Sequence, residues 1–281
     1  MPTAYVGVSG WRYPRWRGDF YPEGLVQRRE LEYVASRMTS AEINGSFYSL
    51  QRPSTYRRFV EETPDDFVLA VKGSRFITHL KRLADVDAGL ANFFASGVLA
   101  LGRKLGPVLW QLPPTLRFEP DLVAGFLAAL PRTTSEAGRL ARRHDDRLAG
   151  DRVLLEPPAP GPVRHAVEAR HPSFFTDGAI ALLAEQDVAL VVADSPGTWP
   201  GEEHVTADFT YARLHGHTEL YASGYAPASL DAWADRVRGW LAAGRDAYVY
   251  FDNDARGRAP WDAVALLDRL RDRSGRTLGP G

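Results

Sequence analysis

Cysteine is absent from this chain of 281 residues. Its absence excludes disulfides, a thiolate nucleophile and sulfur-ligated metals, and with them iron–sulfur and zinc-ribbon readings. Long apolar runs are missing too: nowhere do the roughly 18 apolar residues of a membrane helix follow one another. The opening stretch MPTAYVGVSGWRYP lacks a basic region leading into an apolar run of signal length, so the expectation is a cytoplasmic protein with no membrane partner. Charge of one sign is lacking as well. Against 34 Lys and Arg stand 35 Asp and Glu, a formal net charge of −1, which gives no chain-wide attraction to nucleic acid or anionic lipid. Only residues 1–82 lean positive, with 13 basic and 9 acidic side chains, 13 − 9 = 4. There is no Walker-type loop, no G-x-G-x-x-G, no G-x-S-x-G and no H-E-x-x-H, so nucleotide hydrolysis, dinucleotide redox chemistry, serine hydrolysis and zinc proteolysis lack their mechanical parts.

What is present is an alternation. Eight β-branched and aromatic runs, 5–10, 41–48, 67–74, 107–113, 165–171, 188–195, 210–216 and 247–254, are separated by amphipathic stretches at 30–38, 53–62, 87–105, 121–130, 177–186, 230–243 and 260–271. Eight strand-then-helix units predict a TIM-type (β/α)8 barrel, with a doubly wound open sheet as the competitor. The expected organisation is one domain over residues 1–273 and a flexible tail over 274–281. An insertion at 132–162 carries a charged helix in RLARRHDDRLAGDR and a proline-rich return in EPPAPGP before the fifth strand.

Successive strand residues point to opposite faces. Placing Ile43, Val71, Val167, Leu214 and Phe251 against the helices sends Glu42, Asn44, Lys72, Ser74, Gln111, Glu168, Arg170, Asp194, Arg213, His215, Tyr250 and Asp252 into the lumen. These residues lie late in their strands, near the C-terminal mouth where barrel enzymes build active sites. So many charges in one lumen cost several kcal/mol each in desolvation unless they are paired or solvated. Two readings follow: a self-satisfied lattice that fills the barrel, or a polar pocket completed by a ligand.

In the pocket reading, Glu42, Glu168, His215 and Asp252 are the catalytic candidates, and Trp11, Asn44, Lys72, Gln111, Arg170, Asp194, Arg213 and Tyr250 bind ligand. Lys72, Arg170 and Arg213 would hold negative charge, Glu42 or Glu168 would move a proton, and Trp11 with Tyr250 would wall the pocket. Lys72 has three roles open to it: an electrostatic clamp, a Schiff-base amine if burial lowers its pKa, or an ion pair with Glu42 or Glu168. His171, ahead of Pro172, reads as a loop or supporting residue. His215 and His217 have spacing that can serve a metal, but three nearby cations oppose a dication; no metal and no cofactor are expected. The first loop, GWRYPRWRGDFYP, interleaves aromatics with Arg12, Arg15 and Arg17, as a nucleic-acid grip or as a hydrophobic plug with its arginines in water.

The stretches VGVSGWRYPRWRGDFYP, EINGSFY, FVLAVKGSRFITH, VLWQLPP, VEARHPSF, VVADSP, YARLHGH and YVYFDND together resemble the YecE-like family, the domain of unknown function 72, over nearly the whole chain. The resemblance implies a TIM-type barrel with a polar cavity at its C-terminal mouth and implies no reaction. The family's shape is similar to that of endonuclease IV-type barrels. The expected function is a hydrolase- or lyase-like enzyme acting on a small anionic or polyhydroxylated ligand. The alternatives are nucleic-acid binding or processing and a non-catalytic scaffold; the oligomeric state is left open.

Overall fold

In the computed structural model, which describes residues 1–271, all eight apolar runs contain strand. The strands are β1 (Ala4–Ser9), β2 (Ser40–Ile43), β3 (Val68–Lys72), β4 (Leu105–Gln111), β5 (His165–Glu168), β6 (Ala189–Leu190), β7 (Val192–Asp194), β8 (Phe209–Leu214) and β9 (Asp246–Phe251). They are all parallel, in the order β6-β5-β4-β3-β2-β1-β9-β8-β7. The two ends of that order, β6 and β7, are separated only by Val191, whose N–H donates to Val167 O at 2.9 Å. The chain itself therefore joins the ends of the sheet, and the open-sheet alternative falls away. The sixth run of the sequence is this interrupted strand.

The helices are α1 (Glu30–Ala35), α2 (Gly45–Tyr48), α3 (Pro53–Glu61), α4 (Asp87–Ala95), α5 (Pro120–Ala128), α6 (Thr134–Ala141), α7 (Asp177–Glu185), α8 (Pro227–Ala242) and α9 (Ala259–Leu270). Proline stands in the first turn of α3, α5, α8 and α9, where its missing N–H has no intrahelical partner to lose. Glycine is demanded where strands crowd: a Cβ on Gly7 would lie 1.8 Å from Ser40 O on the neighbouring strand.

Two local expectations are corrected. The EINGSFY stretch leaves the sheet at Ile43, and its second half is α2, so Asn44 is a helix-cap residue and not a strand residue. In the insertion the helix lies earlier than RLARRHDDRLAGDR suggests. The Thr133 hydroxyl accepts from the Glu136 N–H at 3.2 Å, and the Glu136 carboxylate accepts from the Thr133 N–H at 3.1 Å. This capping box starts α6, which ends at Ala141. Most of the charged run thus follows the helix. The insertion is bound to the barrel rather than set apart: Leu154 N–H donates to Ala95 O at 2.8 Å, and Asn92 Nδ2 donates to Asp145 at 3.0 Å. It runs along α4 to the mouth end of the barrel, where Arg147 lies over Phe76 of the turn after β3 and Asp151 pairs with Arg52 ahead of α3. The tail expected over 274–281 lies outside the described residues.

The alternation sorts as expected for the apolar set. Val6, Val8, Ile43, Val71, Val167, Leu214 and Phe251 pack outward into the helix layer, while Ala70, Leu109, Ala166, Val191, Phe209, Tyr211, Tyr248 and Tyr250 fill the lumen. Strand register stacks that lumen in layers. Tyr5 and Tyr248 pair near the floor, Gly7 with Tyr250 lie above them, and Ser9 with Glu42 above those. At the floor Arg164 bridges Asp246 at 2.7 Å and Asp208 at 3.2 Å, and stacks over Phe209.

Candidate functional site

Arg213 organises the upper lumen. Its guanidinium is fully buried, and its donors are taken by Glu42 (Nε at 3.1 Å, Nη2 at 2.9 Å), Glu168 (Nη1 at 2.8 Å), Asp252 (Nη2 at 3.1 Å) and Ser9 Oγ (Nη2 at 2.7 Å). Glu42 also accepts from Tyr211 OH at 2.6 Å and from Ser9 Oγ at 2.5 Å. Glu168 takes Arg170 Nη2 at 3.0 Å and His215 Nε2 at 3.0 Å on its other oxygen. The second nitrogen of His215 donates to Asp252 Oδ2 at 3.1 Å. Arg170 in turn lies flat on Trp199, 3.7 Å from the ring centre. Glu168 and Asp252 are held ionised because their partners outweigh the desolvation they suffer.

The titration behaviour follows from this packing. For Glu168, burial is the largest influence and acts upward, but Arg213, Arg170 and His215 together hold it well below the ordinary carboxylate range. Asp252 is likewise raised by burial and lowered further by Arg213 and His215, settling at about 2. Burial disfavours the imidazolium of His215, yet Glu168 and Asp252 win and raise its pKa. Lys72 departs toward neutrality at physiological pH, lowered to about 8 by burial first and by Arg213 second.

Much of the ionic set is therefore a closed lattice. Glu42 and Glu168, sequence candidates for proton transfer, are fully buried with both oxygens bonded; they position Arg213, His215 and Arg170 and do not reach the mouth. Arg213, expected to hold ligand, spends its donors on three carboxylates. His215, a catalytic candidate, is buried beneath Trp199 and Tyr221, with ring centres at 5.3 and 5.4 Å. Tyr250, expected to wall the pocket, is fully buried a layer lower and shares a 2.7 Å hydrogen bond with Ser40. Trp11 is also displaced from the lumen: it packs edge-on against Phe59 of α3 and lines a separate cavity of about 280 Å³. Of the other aromatics of its loop, Trp16, Phe20 and Tyr21 are core and Tyr13 is half-buried, with Arg12, Arg15 and Arg17 exposed, which is close to the plug arrangement.

Asp194 faces the opposite way from the expectation. It shares the outer face with Val192, accepts from Trp233 Nε1 of α8 at 3.1 Å, and lines a cavity between β7 and α8. ALVVAD is apolar on both faces, so nothing in it fixes which parity looks inward. His217 diverges from His215 because Gly216, at φ 119°, turns the chain between them; His217 is exposed against Ser229. Among the described residues no three or more His, Cys, Asp or Glu side chains converge to hold a metal ion. His171 caps the turn that follows it, accepting from Ser173 N–H at 3.2 Å.

Above the lattice lies a cavity of about 440 Å³ lined by Tyr13, Asn44, Phe47, Tyr48, Lys72, Arg75, His79, Gln111, Tyr221 and Asp252. Four sequence candidates thus meet here: Asn44, Lys72, Gln111 and Asp252. Lys72 and Gln111 are buried and Asp252 is half-buried, yet each holds an unused polar group. Among the described residues the Lys72 ammonium makes no hydrogen bond and has no carboxylate oxygen within 4.0 Å, so neither Glu42 nor Glu168 pairs with it; its contact is the Phe47 face, 4.5 Å from the ring centre. The Gln111 amide has no protein partner, and Asp252, bonded through Oδ2, leaves Oδ1 unbonded toward the cavity. Asn44 donates from Nδ2 to Ser9 Oγ at 2.9 Å, while its Oδ1 is buried without a partner. Of these groups only Asn44 Oδ1 is sealed from solvent; those of Lys72, Gln111 and Asp252 open on the cavity, where a ligand can bond them.

Arg75, His79, Tyr13 and Tyr221 were not among the sequence candidates. They come from loops, where no periodicity predicts direction. Arg75 caps a π-helical turn, Phe76–Leu80, that contains His79, and Tyr221 sits at φ 60°; both conformations concentrate at functional sites. Tyr221 OH accepts from Arg170 Nη2 at 3.3 Å, which leaves its proton free to donate. Asp254 turns away toward Tyr13 and Trp16, and burial, reinforced by Asp252, pushes its carboxyl well above the ordinary range. Among the described residues no helix is long and apolar enough to cross a membrane.

Comparison with known proteins places this architecture. The chain is 29% identical over 298 residues to the UPF0759 protein YunF of Bacillus subtilis, covering 95% of this chain and 94% of that protein. It is 27% identical over 177 residues to the UPF0759 protein YecE of Escherichia coli K12, a match covering 62% of this chain and 51% of that protein, so the matched region spans about half of the latter. Among solved structures, a DUF72 family protein from Thermotoga maritima superposes with a TM-score of 0.77 at 24% identity, covering 96% of this chain and 100% of that one. A DUF72 family protein from Enterococcus faecalis gives 0.73 at 15% identity, covering 95% of each chain. These likenesses speak to the fold. The family model described as "Protein of unknown function DUF72" matches residues 5–280, and the chain belongs to that family.

Proposed function

We propose that the protein is an enzyme of the hydrolase or lyase kind acting on a small anionic ligand bound in the cavity above the ionic lattice. One observation carries this reading: buried Lys72 and Gln111 and half-buried Asp252 converge on a single cavity, and each holds a polar group that no protein atom among the described residues satisfies. Charge sets the ligand class. Lys72 and Arg75 face the cavity without a carboxylate partner, and Asp252 is the single acid among its lining residues, so the lining is net cationic and suits a phosphate or carboxylate. The Gln111 amide and the Tyr221 hydroxyl supply further donors. Asp252 Oδ1, on an acid ionised at neutral pH, is placed to act as a general base. The lattice below gives these groups fixed positions, because Arg213 of β8 ties together Glu42 of β2, Glu168 of β5 and Asp252 after β9.

The test is binding followed by turnover. Inorganic phosphate, pyruvate and small sugar phosphates are titrated against the full chain by calorimetry and thermal shift. At least one is expected to bind in the millimolar range or tighter, with Lys72→Met and Gln111→Leu each weakening it at least tenfold. Asp252→Asn is expected to bind the same compound without turning it over. If no anion stabilises the native chain more than it stabilises Lys72→Met, the cavity is not a ligand site and the reading fails.

A further inference from the structure

We propose that Lys72 is a Schiff-base nucleophile, and that the ligand carries an aldehyde or ketone carbonyl beside its anionic group. The inference rests on the anion-site reading above and gives its chemistry. The chain contains three lysines, Lys72, Lys81 and Lys104, among 34 basic residues. Guanidinium is therefore the default cation of this protein, and it cannot serve as a nucleophile at neutral pH. Lys81 is exposed. Lys104 is buried in the structural manner, its ammonium donating to Val60 O at 2.7 Å, Thr63 O at 2.7 Å and Thr63 Oγ1 at 3.2 Å. Lys72 is equally enclosed, at 8% exposure, but makes none of these bonds. Its amine opens on the cavity. For binding charge alone the long, always-ionised arginine used elsewhere in this barrel would serve, as Arg75 does at the rim.

The surroundings support a neutral fraction of the amine. On β8 Arg213 faces it, on the loop after β3 Arg75 and His79, on β2 Glu42, on β5 Glu168, and after β9 Asp252. The charges of Glu42 and Glu168 are largely consumed by Arg213, so burial and the guanidinium prevail and bring the pKa down to about 8. At pH 7 this leaves a neutral share about two orders of magnitude larger than that of an ordinary lysine near 10.4.

The step balances without an oxidant. The Lys72 nitrogen lone pair forms a bond to the carbonyl carbon while the π pair moves to oxygen. Two protons leave nitrogen and reach that oxygen, relayed through Asp252 Oδ1, and the oxygen departs as water. The ammonium and the carbonyl become an iminium and one water, with no net change in protons. The iminium then withdraws electrons from the adjacent carbon, which is what a C–C cleavage or proton removal beside a carbonyl requires.

The experiment is reductive trapping. The full chain is incubated at pH 7 with glyoxylate and cyanoborohydride, digested, and each lysine peptide is followed by mass spectrometry. Trapping at Lys72 is expected at least tenfold faster than at Lys81, rising with pH through about 8, and protected by inorganic phosphate. Lys72→Arg keeps the charge and should retain phosphate-induced stabilisation while yielding no adduct in the pocket. Trapping no faster at Lys72 than at Lys81, in a chain that phosphate still stabilises, overturns the Schiff base and leaves the anion site standing. Absence of both trapping and phosphate stabilisation overturns both readings.

Discussion

Replacing Arg213 by Met should destabilise the protein strongly at neutral pH and much less in acid. The side chain is fully buried, and its loss leaves Glu42, Glu168 and Asp252 without their common cation. Breaking a buried ion pair by removing one partner costs about 3–5 kcal/mol. Three acids share the loss, but Glu42 keeps the hydroxyls of Ser9 and Tyr211, and Glu168 keeps Arg170 and His215, so the same range applies rather than a multiple of it. At about 2–4 °C per kcal/mol for a chain of this size, the melting temperature falls by roughly 6–20 °C. The sign of the pH dependence follows from the groups left behind. In the native protein Glu168 and Asp252 have depressed pKa values, so their contribution is present above the unfolded values near 4 and disappears as pH falls through the folded ones. In the variant the unpaired buried carboxylates shift upward, and protonation below about pH 6 relieves the penalty. The stability gap is therefore widest near pH 7.5 and narrows toward pH 5. Urea unfolding of both proteins at the two pH values measures it. A gap under about 1 kcal/mol at pH 7.5, or one that does not narrow in acid, would refute the view that Arg213 is the keystone of a closed lattice.

Two further outcomes are expected. His215 has a raised pKa between Glu168 and Asp252, so its stabilisation is complete below the unfolded value of about 6.5 and lost as pH rises through the folded one; the stability difference between native protein and His215→Gln should shrink with rising pH in urea titrations, and a difference that grows would reverse the assignment of an imidazolium. Gly73→Ala places a Cβ 2.3 Å from Trp110 Cε3, within a fully buried ring, and should cost about 1–3 kcal/mol with a changed near-ultraviolet Trp signal; an unperturbed spectrum and melting temperature would show that β3 and β4 have slack at this crossing.

The barrel was legible because its signal is repeated and local. Each strand run contributes an outward apolar set, Ile43, Val71, Val167, Leu214 and Phe251, and one closed sheet satisfies all of them together. Parity gave inward directions that the structure shows where a strand alternates, as in Arg213, His215 and Tyr250. It failed at Asp194, whose strand is apolar on both faces, and strand ends were drawn too late because polar residues of the following turn continue the alternation by chance, as Asn44 does. The loop residues at the mouth, Arg75, His79 and Tyr221, had no such signal. Their directions are set by a π-helical turn and a left-handed residue, both outcomes of tertiary packing.

What period-two reasoning could not supply is height within the lumen, and height separates structure from chemistry here. Glu42, Glu168 and Arg213 sit where neighbouring strands lie close on every side, so each finds complementary charge and becomes saturated. Lys72, Gln111 and Asp252 are carried to the rim of the same lattice, where partners run out on one side. The sequence assigns all six to one polar face, and nothing in residue type distinguishes a glutamate with four bonds from an aspartate with a free oxygen. The distinction arises from position: Asp252 meets Arg213 and His215 through Oδ2 alone, and the charge of Arg213, after burial, depresses the ammonium of Lys72. The saturated arginine therefore does two things at once, locking the barrel's interior and keeping the lysine above it partly neutral. A reactive amine in this fold is a product of the lattice, so loosening the lattice beneath it should let Lys72 pair downward and lose its reactivity even where the cavity itself is untouched.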